Sequence, residues 1–283
     1  MSRAILCADY DETLTVEDTI HLLPQLAACE LSQTERRRFL ERWERDSKWY
    51  YSRWEQVFTD ALDALSSLPP DPQGRLEALH RAFLDLERES IQMVVQEGYL
   101  RGIRRERLIR AGRQVRFHPE ARETLQAAAQ AGYRLWVLSV NWSRDLIAAG
   151  LEDLPVEIVS NDLVFDASGR STGALQGGLH SGFDKREELR ALRKKGGPIL
   201  YIGDSITDLL ALLEADVGIL FGEKRSTIRA CERCGIARLP LRLEPLPLPP
   251  GAVLTTNSWG EIREFLLKIP WRERVGVEPT ADA

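Results

Sequence analysis

The chain has 283 residues, 43% of them hydrophobic and 29% charged, with a formal net charge of −5 at pH 7. That length buries a real core as one large domain or two modest ones. The acidic balance gives no general attraction for nucleic acid or an anionic membrane. No run approaches the roughly twenty apolar residues of a membrane span, and the amino terminus lacks the apolar core of a secretion signal. A reducing cytoplasm is therefore the expected setting. Of the four cysteines, Cys7 reads as a small buried hydrophobe of the first strand. Cys231 and Cys234 form a lone C-x-x-C, for which zinc would need two further ligands.

In chain order, an apolar run at 4–8 predicts a buried strand that ends on Asp9 and Asp11. Strand side chains alternate, so these carboxylates share a side if strand geometry persists. Two like charges so close repel and are costly to desolvate. An isolated D-x-D suits a polar turn; it also suits a cation site, or a nucleophile paired with a proton donor. Thr15 to Asp18 resembles a capping box and predicts a helix that Pro24 kinks. Ser32 to Glu35 opens a second helix, with Phe39, Trp43, Tyr50, Trp54 and Phe58 as its core stripe. Asp71-Pro72 starts a third, with Leu76, Leu79, Phe83 and Leu86 on one face. A basic helix over 100–109 stops near Gly112. Residues 16–116 are thus expected to be all-helical.

Beyond Phe117 the pattern alternates. A helix from Glu120 leads to a strand at 135–138, a helix near Trp142 and a strand at 156–159. A hairpin over 163–175 follows, then a helix near Lys185, a strand at 199–202, a helix at about Asp208 and a strand at 217–220. Such alternation predicts an α/β fold, a doubly wound and mainly parallel sheet with helices on both faces. The expected division is a core of 1–15 and 117–271, an inserted helical cap of 16–116 and a disordered tail of 272–283. The Pro-rich 245–250 reads as a surface loop.

Ligands of such sheets bind beyond the carboxyl ends of the strands, where Asp9, Ser139 and Asp204 all fall. Ser139 and Asn141 sit between a strand and a helix, where a hydroxyl and backbone N–H groups receive an anion. Lys185 lies at a helix start, a poor place for a cation unless a phosphate offsets it. Asp204 and Asp208 add two carboxylates at i and i+4. Together these groups suit Mg²⁺, a hard cation that shares its site with substrate phosphate. One aspartate would attack phosphorus and another trade protons, while the serine, the lysine and the amides hold the phosphoryl oxygens.

The motifs D-Y-D-E-T-L-T (9–15), L-S-V-N-W-S (138–143), D-K-R (184–186) and G-D-S-I-T-D (203–208) resemble, in order and spacing, those of the haloacid dehalogenase-like hydrolases. The resemblance implies a Rossmannoid core with a C1 cap like that of the phosphoserine phosphatase branch. It implies Asp9 as nucleophile, Asp11 as general acid/base, and Ser139, Asn141 and Lys185 on the phosphate. It further implies Mg²⁺ on Asp9, the Asp11 carbonyl and Asp204, with Asp208 supporting the metal through water or orienting Lys185. An acid at position 11 points to a phosphatase. The segments 138–147, 201–219 and 258–262 look like the phosphatase portion of plant thiamine monophosphate phosphatase and related fungal proteins.

The expected activity is hydrolysis of a small phosphorylated metabolite, with thiamine monophosphate the first to try and a nucleotide, phosphoserine, phosphocholine or a sugar phosphate as alternatives. The non-enzymatic alternative is a scaffold that binds a phosphorylated ligand without turnover. In the cap, Trp49 and Tyr51 fall outside the aromatic stripe and either face the substrate, where a thiazolium would suit them, or form a second core face. The six arginines of 101–113 read as a solvated face or as a site for a second anionic group. His118 reads as a hinge or core residue, and His21 lies beside the site in sequence.

Overall fold

Ile5, Leu6, Cys7 and Ala8 are all wholly buried. Alternate side chains of a strand point to opposite faces, so this segment has to lie in a sheet covered on both sides. In the computed structural model, which describes residues 3–242 and 249–268, it does. The elements run β1 (Ile5–Ala8), α1 (Leu22–Ala28), α2 (Gln33–Ala64), α3 (Pro72–Gln96), β2 (Arg101–Arg104), α4 (Arg105–Gly112), α5 (Ala121–Gln130) and β3 (Arg134–Leu138). Then follow α6 (Arg144–Gly150), β4 (Val156–Val159), β5 (Asp162–Phe165), β6 (Arg170–Gln176), α7 (Gly182–Arg193) and β7 (Ile199–Gly203). The chain continues through α8 (Leu209–Glu214), β8 (Val217–Phe221), α9 (Arg225–Cys234), β9 (Ala237–Pro240), β10 (Ala252–Thr256) and α10 (Trp259–Lys268).

Seven strands form one sheet in the order β4-β3-β1-β7-β8-β10-β9, and every neighbouring pair is parallel. Leu6, Ala8, Leu135 and Val137 face one apolar layer, completed by α5, α6 and α10. Ile5, Cys7, Trp136 and Leu138 face the other, with α7, α8 and α9. The order reverses at β1, which lies between β3 and β7, and this puts the ligand crevice beyond its carboxyl end.

The segment between β1 and β3 leaves and returns through paired stems. Thr15 and Phe117 form an antiparallel bridge, flanked by Val16 N–H to Arg116 O (2.9 Å) and His118 N–H to Leu14 O (2.9 Å). His118 sits at this stem with its ring edge-on to Phe221. Within the insert, α2 starts at Ser32, whose N–H donates to the Glu35 carboxylate, and α3 starts at Asp71, which accepts from Gly74 N–H at 2.8 Å.

Three local expectations change. Thr15 caps no helix: its hydroxyl accepts from Glu12 N–H and belongs to the turn after β1. The first helix begins at Leu22, so Pro24 lies in its first turn, where no N–H is required, and α1 is not kinked. The basic stretch is half strand, because β2 pairs antiparallel with β6 in a three-stranded sheet β2-β6-β5, so the insert is not wholly helical. No helix among the described residues is long and apolar enough to cross a membrane. The tail expected at 272–283 and most of the Pro-rich stretch lie outside the described residues.

Candidate active site

β1, β3 and β7 end side by side, and the next residue of each is polar and buried: Asp9, Ser139 and Asp204. Asp9 N–H still donates to Ile202 O at 2.8 Å, so the β1–β7 ladder fixes its backbone. Beyond Asp11 the chain turns through Glu12, whose φ of 57° is uncommon for a residue with a side chain. The turn is pinned from both sides. Thr13 donates its hydroxyl to Asp204 Oδ1 (2.7 Å), and the fully buried Trp259 donates its indole N–H to Thr13 O (3.0 Å).

Lys185 is buried in the first turn of α7, with Nζ 2.7 Å from Asp208 Oδ1 and 2.9 Å from Asp9 Oδ1. Burial works against its ammonium, but the two carboxylates outweigh that cost and raise its pKa. They also offset the unfavourable helix-start position. Asp208 is wholly buried and receives five donors. Lys185 and the Tyr201 hydroxyl reach Oδ1; Asp204 N–H, Ser205 N–H and the Ser205 hydroxyl reach Oδ2. Burial alone would raise its pKa, yet Lys185 and these hydrogen bonds hold it below the usual carboxylate range.

Asp11 is turned away from this cluster. Thr19 donates its N–H (2.7 Å) and hydroxyl (2.6 Å) to Oδ1, and Asn141 Nδ2 donates to Oδ2 (2.7 Å). Both amide hydrogens of Asn141 are in use, the second on Thr19 Oγ1 at 2.9 Å, and its Oδ1 accepts from Ser143 N–H. Asn141 therefore orients Asp11 instead of pointing at an open anion position. Burial, helped by the Asp18 charge, pushes Asp11 up to about 6 against the pull of Asn141 and Thr19. Ser139 is buried beside them, its Oγ accepting from Asn141 N–H at 3.2 Å.

Oxygens of Asp9, Asp204 and Asp208 lie within 4.8 Å of one another. Asp208 is saturated by its donors, so Asp9 and Asp204 are the ones with capacity to spare. Buried Asp9 Oδ1 and Asp204 Oδ2 face ammonium groups but have no well-directed hydrogen bond. Burial and the neighbouring carboxylates raise Asp9 well above its ordinary value. Burial raises Asp204 to about 6, although Lys224 pulls it back. Five carboxylates, those of Asp9, Glu12, Asp11, Asp204 and Asp208, outnumber the two ammonium groups of Lys185 and Lys224. Hard oxygen donors with excess negative charge in a buried place fit a divalent cation such as Mg²⁺.

Lys224, in the loop after β8, went unnoticed in the sequence. Its Nζ lies 2.5 Å from Asp204 Oδ2 and 2.6 Å from Glu12 Oε2, so it neutralises the carboxylate best placed for a metal. Lys224→Met is expected to lower the metal-free melting temperature by about 3 °C. The same variant should gain more on Mg²⁺ addition than the wild type does, because the ion supplies the missing charge. Differential scanning fluorimetry with and without Mg²⁺ checks both signs.

A family model of haloacid dehalogenase-like hydrolases matches residues 6–213. The chain belongs to that family. It is 27% identical to the "Bifunctional TH2 protein, mitochondrial" of Arabidopsis thaliana over 93% of this chain and 49% of the plant protein, and so spans about half of that relative's length. Among solved structures it resembles a phosphoserine phosphatase carrying a phospho-aspartyl intermediate analogue, with a TM-score of 0.55 and 19% identity over 95% of this chain and 100% of that one. A substrate-bound phosphoserine phosphatase gives a TM-score of 0.55 at 18% identity, with the same coverage of both chains. These two likenesses concern the fold.

In this family member the remaining candidates divide. Four of the six arginines of the run pair with carboxylates: Arg104 and Arg107 with Glu30, Arg105 with Asp145, and Arg113 with Glu152. Cys231 and Cys234 are buried thiols on α9, raised to about 12 and about 11 by burial. The one described cluster of potential metal ligands is the aspartate group. Of the two unexplained aromatics, Tyr51 lines the cavity between insert and sheet, together with His21 and three members of the supposed core stripe, Trp43, Tyr50 and Trp54. Trp49 is exposed and lies off that lining.

Proposed function

We propose that the chain is a Mg²⁺-dependent phosphomonoesterase that acts on a small metabolite through an aspartyl-phosphate on Asp9. The observation that carries this reading is the placement of Asp9: a buried carboxylate at the end of β1, 2.9 Å from Lys185 and beside Asp204. Asp9 Oδ attacks phosphorus, and the bond to the ester oxygen breaks. Asp11, which burial keeps near 6 and Thr19 and Asn141 hold in place, gives the leaving oxygen its proton and then takes one from the attacking water. Lys185 and Ser139 receive the phosphoryl oxygens. Asp9, the Asp11 main-chain carbonyl and Asp204 would hold Mg²⁺, which supplies charge neutralisation of the phosphoryl group. Asp208 serves by holding Lys185.

In this reading residues 1–15 and 117–271 make the core, and 16–116 form a cap hinged at the Thr15–Phe117 bridge. The cap covers the site and reads the leaving group. Thiamine monophosphate is the first substrate to test, supported by the resemblance of 138–147, 201–219 and 258–262 to plant thiamine monophosphate phosphatase; other small phosphomonoesters are the alternatives. The four unpaired thiols support a cytoplasmic setting, although the plant relative's name places that protein in mitochondria.

The test is hydrolysis of p-nitrophenyl phosphate with Mg²⁺ and after chelation, followed by a panel of metabolite phosphates. Turnover that vanishes on chelation and returns with Mg²⁺ is expected. A folded protein that binds phosphate yet hydrolyses nothing at any Mg²⁺ concentration would favour the binding scaffold.

A further inference from the structure

Between α2, α3 and the carboxyl ends of the strands lies a cavity of about 510 Å³. Its floor includes Glu12, Val140 and Thr207, the chain neighbours of Asp11, Ser139 and Asp208, so it opens beside the phosphoryl site. Its walls hold five aromatic side chains, Trp43, Tyr50, Tyr51, Trp54 and Trp142, and no lysine or arginine. Five carboxylates also line it. Two of them are compensated: Glu12 by Lys224 at 2.6 Å, and Asp46 by Arg45 at 2.9 Å and the Tyr99 hydroxyl at 2.6 Å. The other three, Asp18, Glu55 and Glu87, pair with no lysine or arginine among the described residues. His21 and His180 are the basic side chains of the lining.

Glu87 is the informative one. It projects from α3 and accepts the Tyr50 hydroxyl at 2.9 Å, and burial raises it to about 6 against that hydrogen bond. Asp18 is raised by burial too, with its Oδ1 engaged by Ile20 N–H at 2.8 Å. Buried acids of this kind carry a desolvation cost that a cation in the cavity would offset. The ring faces favour a cation as well, and best one with weakly hydrated, spread charge. A second anionic group on the substrate would meet like charge here, and the lining holds no lysine or arginine to receive it.

We propose that this cavity is the leaving-group subsite, and that it takes an alcohol bearing a fixed organic cation, an aromatic or quaternary nitrogen, with Glu87 and Asp18 as counter-charges. The proposal rests on the phosphatase reading for the word leaving group, but cation binding itself needs neither phosphate nor turnover.

Titration calorimetry of the Mg²⁺-free wild-type protein tests it with three phosphate-free probes: choline, its neutral carbon isostere 3,3-dimethylbutan-1-ol, and thiamine. At least one cation is expected to bind about tenfold or more tightly than the isostere. Tighter thiamine identifies an aromatic cation and tighter choline an alkylammonium; either supports the proposal. Glu87→Gln keeps an acceptor for Tyr50 and drops the charge. It should weaken the bound cation about tenfold and leave the isostere unchanged. Tyr51→Leu, at a 61% exposed position where folding is not at stake, should weaken the cations several-fold as well. The proposal is overturned if neither cation binds, if the isostere binds as tightly, or if neither variant affects the cations. Hydrolysis of p-nitrophenyl phosphate by the same preparation scores the phosphatase reading separately.

Discussion

Asp9→Asn is expected to abolish phosphate-ester hydrolysis, a loss on the order of 10⁴-fold or more, while the protein stays folded. Asparagine is isosteric with aspartate but does not form the acyl phosphate, so loss of the nucleophile removes the covalent route and not a part of it. The stability change should have the opposite sign. Asp9 is buried beside Asp204 and Asp208, and those charges together with desolvation raise its pKa. Taking away its charge relieves that cost, and Lys185 keeps its 2.7 Å contact to Asp208. A melting temperature at or above the wild-type value is therefore expected in the absence of metal. Mass spectrometry of acid-quenched turnover should find a phosphoryl adduct on the wild-type peptide that contains Asp9 and none on the variant. An active Asp9→Asn protein would refute the mechanism. An inactive one whose wild type never carries the adduct would reassign Asp9 to metal binding alone.

Three of the polar segments were legible because β1, β3 and β7 are short, mainly apolar runs, and the residue that follows each must sit at the sheet's carboxyl edge. Asp9, Ser139 and Asp204 follow from that rule. Lys185 and Asp208 do not; their expected place rests on the family resemblance, and the structure sets both beside Asp9. What escaped depends on partners far away in sequence. The Arg101–Arg104 segment has the composition of an exposed helix and becomes β2 only because β6 is there to pair with it. Thr15 has the spacing of a cap, but the returning stem at Phe117 claims that stretch as a bridge. Lys224 reaches Glu12 across more than two hundred residues, a contact with no local signal. The α2 stripe illustrates a different limit. Helical periodicity says that Trp43, Tyr50 and Trp54 face inward, and they do. It does not say whether they meet packed side chains or a hollow, and here they border the cavity.

The second large effect falls on stability. Asp208→Ala is expected to cost about 3–5 kcal/mol in urea unfolding, the range for breaking a buried ion pair. The carboxylate is wholly buried, and five donors converge on its two oxygens. That arrangement also makes asparagine a poor replacement. In one orientation its amide NH₂ faces the Asp204 and Ser205 N–H groups; in the other it faces Lys185 and the Tyr201 hydroxyl. Either way donors meet donors, so Asp208→Asn should lose most of the same stability despite its identical shape. Pairing it with Lys185→Met removes the stranded ammonium, and the double variant should recover about 1–3 kcal/mol relative to the sum of the single changes. Activity should not recover, because the phosphoryl group would still lack its lysine. Recovery of stability without activity would separate the two roles of this pair: Asp208 positions Lys185 through a buried charge contact, and Lys185 alone touches the substrate. Additive losses in the double variant would show that the 2.7 Å contact contributes nothing beyond its separate members.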